Sequence, residues 1–365
     1  MATSKETIAG LIGGGGAERM GLFEGIWRDT LEKWVGEGYP TDGAGEPVPP
    51  ADHFGYDMVD FGGGWFDALP LRGYSEVIEE TDQWDIKRNG AGAALKYWKN
   101  KSGTPEHIDF LMTSREVWER DYRPHMLETD PERIDIEKAA RALEKNRAAN
   151  KWSFMGHLFI WENMRQSMGD YTMYQSLLLD PGWIHDYNRV YTDFFKAHYE
   201  LLFREAGLPE GVWICEDLAY RNGLLCSPKV LEELIFPYFA EMVDFFHSYG
   251  LPVVLHSCGG VREALPLIVD AGFDGLNPME VKAGCDVLEF AKAYGDRLAF
   301  IGGMDARIFE SGDRAAIRDE IVRITTGIRA IGARYVFASD HSLSTNVAYD
   351  DYRFALEIFR ENMLY

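Results

Sequence analysis

The stretch LPVVLHSCGG at residues 251–260 indicates the fold more clearly than any other part of the chain. Its first five residues form an apolar run typical of a buried β-strand, and that strand would end in His256-Ser257-Cys258. Side chains two residues apart on a strand point to the same face, so His256 and Cys258 would enter one space. Because imidazole and thiolate are both zinc ligands, the stretch predicts half of a metal site at a strand end.

Similar apolar runs recur through the second half of the chain and alternate with helical segments. We predict strands at residues 152–161, 211–218, 252–258, 273–277, 298–302 and 335–339. We predict helix starts where a capping oxygen precedes a proline, at Asp130, Asp180 and Ser227, and an amphipathic helix from Asp130 to about Asn150. Parallel strands joined by helices give this alternation. For 365 residues it predicts an α/β fold of the (β/α)8 TIM-barrel type with an N-terminal extension packed on it.

The first part of the chain has no regular period, because glycine runs at residues 13–16 and 62–64 interrupt it. We interpret residues 1–110 as an entry segment with early barrel elements. Residues 111–365 are interpreted as the barrel body that carries the site. Residues 54–61 are the candidate for an early barrel strand.

The charge balance restricts the class of partner. With 37 basic and 59 acidic residues the net charge is -22, which opposes binding to a nucleic-acid backbone or to an anionic membrane surface. No run approaches the roughly 20 apolar residues of a membrane span, and the first residues lack the pattern of a signal peptide. The sequence therefore predicts a cytoplasmic protein without a nucleic-acid or membrane partner, and it leaves open whether the protein is a homodimer.

The chain has four cysteines, at positions 215, 226, 258 and 285, which are too few for a disulfide framework. Each is therefore either a small buried side chain or a ligand. Cys285 is a rival metal ligand, but residues 285–294 predict a helix, which favours a place in the core. Because adjacent strand residues alternate, only one of Glu216 and Asp217 faces the barrel interior, and Cys215 points outward if that residue is Glu216.

Polar residues follow five consecutive predicted strands. The carboxyl ends of parallel strands in a barrel open on one face, where active sites of this architecture lie. A single Asp or Asn after a strand is an ordinary turn or capping residue, so the prediction depends on the whole set. The members of the set are Glu216, Asp217, His256, Cys258, Asn277, Glu280, Asp305, Asp340 and His341.

Four of these strand-end segments resemble the uroporphyrinogen decarboxylase superfamily. They are LHSCGG at 255–260, LNPME at 276–280, FIGGMD at 300–305 and ASDH at 338–341. That superfamily includes decarboxylases and zinc-dependent corrinoid methyltransferases, and its barrel is similar to that of cobalamin-independent methionine synthase. The resemblance runs from about Trp152 to the C-terminus, and it is closer to the methyltransferase branch than to the true decarboxylases.

The resemblance implies a ligand set. In the thiol-methylating relatives a His-x-Cys pair, a Glu on the next strand and a Cys on the last strand hold the metal. Here His256, Cys258 and Glu280 would bind zinc, with His341 in the fourth place. A histidine there departs from the family pattern, so His341 is either a ligand or an acid/base group. Alternatively, His256 and Cys258 are packed core residues and Glu280 caps a helix.

On this resemblance we expect a methyltransferase in which zinc activates a substrate thiol. A methyl-corrinoid carried on a partner protein, or a similar donor, would supply the methyl group. The catalytic candidates are Glu216, Asp217, Asp305 and His341, and the substrate-binding candidates are Asn277, Trp161 and Asp340.

Two alternatives accompany this expectation. One is decarboxylation of a tetrapyrrole or another carboxylate substrate, but the Arg-Gln-Ala-Gly-Arg phrase near the start of those decarboxylases has no counterpart here. The N-terminal segment offers only scattered arginines such as Arg19 and Arg28. The other is a barrel that binds a ligand or a corrinoid protein without turnover, since a fold alone does not decide activity.

Overall fold

The chain forms a barrel of eight parallel strands surrounded by helices. The computed structural model describes residues 2–61 and 65–365. The strands are β1 (Gly21–Leu22), β2 (Met58–Asp60), β3 (Ser75–Glu80), β4 (Trp84–Asn89), β5 (Ala93–Trp98), β6 (Glu106–Phe110), β7 (Trp152–Leu158), β8 (Gly211–Cys215), β9 (Ala219–Tyr220), β10 (Gly223–Leu224), β11 (Val253–His256), β12 (Gly275–Asn277), β13 (Ala299–Ile301) and β14 (Tyr335–Phe337). The barrel sheet has the order β1-β14-β13-β12-β11-β8-β7-β2.

The helices follow most barrel strands and cover the outside of the sheet. They are α1 (Ser4–Ile12), α2 (Arg28–Gly36), α3 (Pro50–His53), α4 (Arg115–Val117), α5 (Ile136–Ala148), α6 (Ile160–Leu179), α7 (Pro181–Ala206), α8 (Pro228–Leu234), α9 (Phe236–Ser248), α10 (Leu265–Asp270), α11 (Val287–Tyr294), α12 (Ala306–Glu310), α13 (Arg314–Ile331) and α14 (Tyr349–Asn362). Within the described residues, no helix combines the length and the apolarity that crossing a membrane requires.

Hydrogen bonds between the two outermost strands nearly close the barrel. The backbone N–H of Asp57 donates to the carbonyl of Leu22 at 2.8 Å, and the N–H of Leu22 donates to the Asp57 carboxylate at 2.9 Å. Arg19 holds that carboxylate with two bonds of 2.7 Å. The (β/α)8 prediction is therefore confirmed, and the first strands come from the N-terminal part of the chain.

All six predicted strands of the second half are present, and most end earlier than predicted. The strands predicted at 152–161 and 211–218 end earliest relative to the prediction, at Leu158 and Cys215. In the first case residues from Ile160 onward form α6. The early strand predicted at 54–61 is β2. The glycine run at 62–64 lies outside the described residues.

The predicted cap precedes the proline at all three helix starts, and at two of them an α-helix begins. Helices α7 and α8 begin at Pro181 and Pro228, with Asp180 and Ser227 as their caps. Residues 131–133 instead form a short 3-10 turn after Asp130. The amphipathic helix starts later, because the Asp135 side chain accepts a bond from the N–H of Lys138 at 2.9 Å and caps α5 there.

The N-terminal part of the chain adds two elements to the barrel, helix α1 and a separate four-stranded sheet. Helix α1 contacts β1, β2, β7 and β14, and its side chains Ile8, Leu11 and Ile12 are buried in the barrel interior. The N–H of Lys5 donates to the carbonyl of Asn150, just before β7, so α1 closes the N-terminal end of the strands. Strands β3–β6 form an antiparallel sheet inserted between β2 and β7, which the sequence analysis did not predict.

The strands have two apolar faces, as expected when both sides of a sheet are covered. The barrel interior contains Trp152, Phe154, Trp213, Val254 and Ile301. The opposite faces pack under the helices in the larger core. In the described part of the chain, α1 fills the N-terminal end of the barrel, and the cavity opens at the carboxyl ends of the strands.

Candidate functional site

Three potential metal ligands converge at the carboxyl ends of β8 and β11. Among the described residues, Asp217, His256 and Cys258 form a group whose ligand atoms all lie within 4.8 Å of one another. The Sγ atom of Cys258 is 3.5 Å from Nε2 of His256, and Nε2 is 3.8 Å from Oδ1 of Asp217. The two side chains predicted from the HSC motif therefore do share one space.

The imidazole of His256 is oriented by the next strand. Its Nδ1 lies 2.5 Å from Oδ1 of Asn277, and the amide nitrogen of Asn277 donates to the carbonyl of Ile301 at 2.8 Å. Because that carbonyl can only accept, the Asn277 oxygen faces His256 and accepts its Nδ1 proton. In the neutral ring this leaves the Nε2 lone pair directed at Cys258 and Asp217, which is the tautomer that a metal ligand needs.

Asp217 occupies the third position of the group. Its Oδ1 accepts a bond from the backbone N–H of Cys258 at 2.9 Å, and its backbone carbonyl accepts one from the indole N–H of Trp161 at 2.9 Å. Its side chain is 40% exposed and faces the barrel opening. Trp161, a candidate for substrate binding, is instead fully buried and positions the backbone of Asp217.

Glu216 points away from the opening, as the alternation of strand residues requires once Asp217 faces it. Its carboxylate accepts bonds from the backbone N–H groups of Phe159 at 2.5 Å and of Trp161 at 2.6 Å. Burial raises the pKa of Glu216 and the nearby Glu162 carboxylate raises it further, while the backbone donors oppose both effects. The structure thus places this catalytic candidate at the start of α6. Cys215 correspondingly lines the barrel cavity.

Glu280, predicted as a metal ligand, does not join the group. One carboxylate oxygen accepts the N–H of Gly259 at 2.6 Å, and the other is 3.1 Å from the ammonium of Lys282. Gly259 has φ 84°, and a Cβ atom there would lie 2.5 Å from the backbone of Ala219, so only glycine fits. Glu280 therefore holds the loop that carries Cys258, and the third member of the group of potential ligands is Asp217.

Two further candidates serve as caps. Asp340 accepts backbone N–H bonds from Val281 at 2.8 Å and from Ala306 at 2.9 Å. Asp305 caps α12 and pairs with Arg307 at 2.6 Å. Burial opposes ionisation of Asp305, but the bonds from Arg307 outweigh it and lower its pKa. Asp340 thus connects the segments after β12 and β13, whereas among the described residues Asp305 contacts only its own helix. Neither residue lines the cavity, so the catalytic and substrate-binding roles expected for them have no support from their contacts.

His341 lies at the edge of the same opening. It lines the cavity and is exposed, and its Nδ1 is 3.4 Å from the carbonyl of Ser342. It is outside the group of three ligand atoms. Of the two roles predicted for His341, fourth ligand or acid/base group, the structure shows only that it lines the cavity outside this group.

Burial makes Cys258 a poor thiolate without a metal. It raises the pKa of the Cys258 thiol, and the carboxylates of Asp217 and Glu280 raise it further. A bound cation would reverse this effect, because a metal-coordinated cysteine loses its proton.

A cavity of about 410 Å³ contains these groups and opens at the carboxyl ends of the strands. Its inner wall is aromatic: the rings of Phe154 and Trp213 are stacked at 5.0 Å, and Phe23 contacts both rings at 5.8 and 5.5 Å. Polar lining residues are Glu24, Asp60, Thr104, Asp217, His256, Asn277, Ser339, His341 and Ser342. Thr104 comes from the segment between β5 and β6, so the inserted sheet contributes to the rim.

Glu24 is a cavity residue that the sequence analysis missed. Ser339 Oγ lies 2.6 Å from Oε1 of Glu24 and 2.5 Å from the carbonyl of His341. Serine has one proton, and the carbonyl can only accept, so the short contact with Glu24 is satisfied when Glu24 carries a proton and donates it. Burial raises the pKa of Glu24 to about 8, in agreement with a neutral carboxyl group at pH 7. Glu24 follows β1, and a strand of two residues is too short to give a recognisable hydrophobic pattern in the sequence.

The sequence of residues 166–362 matches the uroporphyrinogen decarboxylase (URO-D) family. The match covers more than half of the chain and includes the strand ends that carry His256, Cys258 and Asn277. The chain belongs to the URO-D family. No curated protein matches the sequence of this chain at a significant level.

One solved structure confirms the fold of this URO-D family protein. A methyltransferase from Methanosarcina mazei superposes with a TM-score of 0.67 at 15% sequence identity, over 99% of each chain. A B12-independent methionine synthase from Shewanella sp. W3-18-1 matches with a TM-score of 0.44 at 10% identity, over 91% of this chain and 86% of that chain. At 15% identity the likeness to the Methanosarcina mazei methyltransferase establishes the architecture alone.

The donor set fits zinc. Nitrogen, sulfur and oxygen donors are those that zinc takes in proteins. A tetrahedral ion with usual Zn–N and Zn–S bond lengths separates the two ligand atoms by about 3.5 Å, and Cys258 Sγ and His256 Nε2 are 3.5 Å apart. The bond from Asn277 supplies the outer support that metal-bound histidines have.

Proposed function

We propose that this URO-D family protein is a zinc-dependent methyltransferase that activates a substrate thiol at Asp217, His256 and Cys258. The proposal depends mainly on the three ligand atoms that lie within 4.8 Å of one another at the open end of the barrel. Zinc, when bound, lowers the pKa of a coordinated thiol and so provides a nucleophilic sulfur at neutral pH. Three protein ligands leave a coordination position for the substrate, as in other catalytic zinc sites.

Neighbouring residues orient the side chains of the proposed ligands. Asn277 keeps Nε2 of His256 directed at the ligand position. The N–H of Cys258 and the indole of Trp161 fix Asp217 at both its side chain and its backbone. The aromatic inner wall excludes water from one side of the cavity, which strengthens electrostatic interactions within it.

A methyl-corrinoid on a partner protein is the donor that this arrangement favours. The side chains of His256 and Asp217 are 28% and 40% exposed, so the thiol would be presented at the barrel opening. A large donor that stays outside can reach a sulfur held at this position. We therefore extend the proposal to a corrinoid protein that covers the opening during methyl transfer.

The cavity argues against decarboxylation of a porphyrinogen. Such a substrate carries many carboxylates and requires cationic side chains around it. Among the described residues that line the cavity there is no lysine and no arginine. The carboxylates of Asp60 and Asp217 would instead repel the substrate.

The first test is the zinc content of Cys258→Ser. We expect the purified wild-type protein to hold about one zinc per chain and the variant to lose it, because a hydroxyl replaces the strongest ligand. Atomic emission measures the metal, and cob(I)alamin formation from methylcobalamin and a thiol measures the transfer. Cys226→Ser is the control, since Cys226 does not line the cavity. Zinc that is retained in Cys258→Ser, or never bound by the wild type, would contradict the proposal.

A second expected result concerns Asn277→Ala. Loss of an outer-shell bond to a ligating histidine lowers metal affinity by about 10- to 100-fold, so we expect zinc to leave this variant at correspondingly lower chelator concentration. Competition with a fluorescent chelator measures the change. In His341→Ala the affinity should stay as in the wild type, because His341 is outside the ligand group. A lower zinc affinity in His341→Ala would show that His341 is the fourth ligand.

A further inference from the structure

The carboxylates that line the cavity are already engaged by other groups. Asp217 belongs to the group of potential metal ligands. Glu24 accepts the backbone N–H of Ser339 at 2.9 Å, and Asp60 has an interaction of its own. The described lining residues include no lysine and no arginine. A charged substrate therefore finds no uncommitted counter-ion among the described residues that line the cavity.

The proposed metal site adds no net charge when it is loaded. A Zn²⁺ ion carries two positive charges, and the Asp217 carboxylate and a Cys258 thiolate balance them, whereas His256 binds as a neutral imidazole. Asp217 is thereby committed to the metal and does not also pair with a substrate. Moving an uncompensated charge from water into a partly buried cavity is unfavourable. The cavity therefore selects a substrate with a neutral body.

An aromatic wall lies beside the proposed ligand position. The ring centroids of Trp213 and His256 are 6.3 Å apart, and Trp213 stacks on Phe154 at 5.0 Å. Phe23 lies 5.5 Å from Trp213 and is only partly buried, so part of its ring is available to a ligand in the cavity. A substrate whose sulfur binds beside His256 would therefore place its carbon body against these rings.

We propose that the substrate of this site is a neutral thiol with an aromatic body, such as an arylmethanethiol, whose ring packs against Phe23 and Trp213. The inference rests on the proposed function, because it assigns a substrate class to the same cavity. Edge-to-face and offset contacts between aromatic rings add to the gain from burying apolar surface. In the transfer, the thiol proton passes to solvent and the sulfur bonds to the methyl carbon. The carbon–cobalt bond of the methyl-corrinoid breaks, and its electron pair stays on cobalt.

The test uses three thioethers of one shape that differ in the charge of a single substituent. They are para-methylbenzyl methyl sulfide, para-carboxybenzyl methyl sulfide and para-(aminomethyl)benzyl methyl sulfide, which are neutral, anionic and cationic at neutral pH. Their sulfur has no proton to lose, so their binding reports the cavity rather than thiol activation. Calorimetry on the full-length protein measures each affinity, with the zinc content determined in the same sample.

We expect the neutral thioether to bind at least about 10-fold more tightly than either charged one, because neither charge finds a partner in the cavity. A charged thioether that binds as tightly as the neutral one would overturn the inference. No measurable binding of the neutral thioether would overturn it as well.

Phe23→Ala supplies the matched variant. It removes the partly buried ring from the wall, so the affinity for the neutral thioether should fall by about 5-fold or more. Phe23→Leu keeps much of the apolar volume and should lie between the wild type and Phe23→Ala. Tyr171→Ala is the control, since that ring is 77% exposed and does not line the cavity. Wild-type affinity in both Phe23 variants would contradict the placement of the substrate ring.

The two proposals fail separately. If the matching thiols accept no methyl group but the neutral thioether still binds best, the methyltransferase assignment is wrong and the aromatic binding site stands. If methyl transfer proceeds and a charged thioether binds best, the metal chemistry stands and the neutral aromatic substrate is wrong.

Discussion

Glu216→Ala is expected to destabilise the protein by about 3 kcal/mol or more, because it leaves buried backbone donors without an acceptor. The carboxylate of Glu216 is fully buried and takes the N–H groups of Phe159 and Trp161, which begin α6. Removing it also leaves a cavity that the packed surroundings cannot fill. Urea unfolding followed by circular dichroism measures the change.

The neighbouring residue is a matched comparison. The side chain of Asp217 is 40% exposed, so Asp217→Ala should cost only about 1 kcal/mol of stability, mainly from its bond to the N–H of Cys258. The same variant should lose zinc, whereas metal remains in any Glu216→Ala protein that stays folded. If Asp217→Ala were as destabilising as Glu216→Ala and kept its metal, Asp217 would have a structural role and would not be a metal ligand.

The sequence predicted the barrel because its second half gives strong local signals. Strands β7, β8, β11 and β14 are short apolar runs, and both faces of each strand are covered. The inserted sheet was missed for the opposite reason. Every residue of β3 is exposed. The strand therefore forms through pairing with its neighbour rather than through burial, and its polar composition resembles that of a loop.

The candidate site was predicted in part. His256 and Cys258 were found because spacing along one strand fixes which face a side chain takes. Glu280 was predicted as a third ligand, but in the structure its carboxylate accepts the N–H of Gly259 and lies outside the group of three. Spacing along the chain does not indicate which oxygen acceptor a nearby loop uses. Asn277 was predicted to bind substrate, and in the structure it bonds to His256. That bond depends on the register of β11 and β12, which a single sequence does not contain.

Glu24→Gln is expected to make the protein more stable than wild type at alkaline pH. Burial raises the pKa of Glu24 from 4.5 to about 8. A carboxyl group whose pKa is raised by folding stabilises the folded state fully below its unfolded pKa, and this contribution is lost as pH rises toward the folded pKa. Between pH 5 and pH 9 the wild type should therefore lose on the order of 4 kcal/mol that the variant keeps, at about 1.4 kcal/mol per unit of pKa.

The amide of Gln can replace the neutral acid in shape and can donate to Ser339 Oγ, so the two proteins should unfold with similar free energies near pH 5. Urea unfolding at pH 5, 7 and 9 gives the two profiles, with Glu32→Gln as the control because that side chain is 58% exposed. Parallel profiles for wild type and Glu24→Gln would mean that Glu24 is ionised at neutral pH. In that case the Ser339 hydroxyl donates to Glu24, and the carbonyl of His341 lacks this bond.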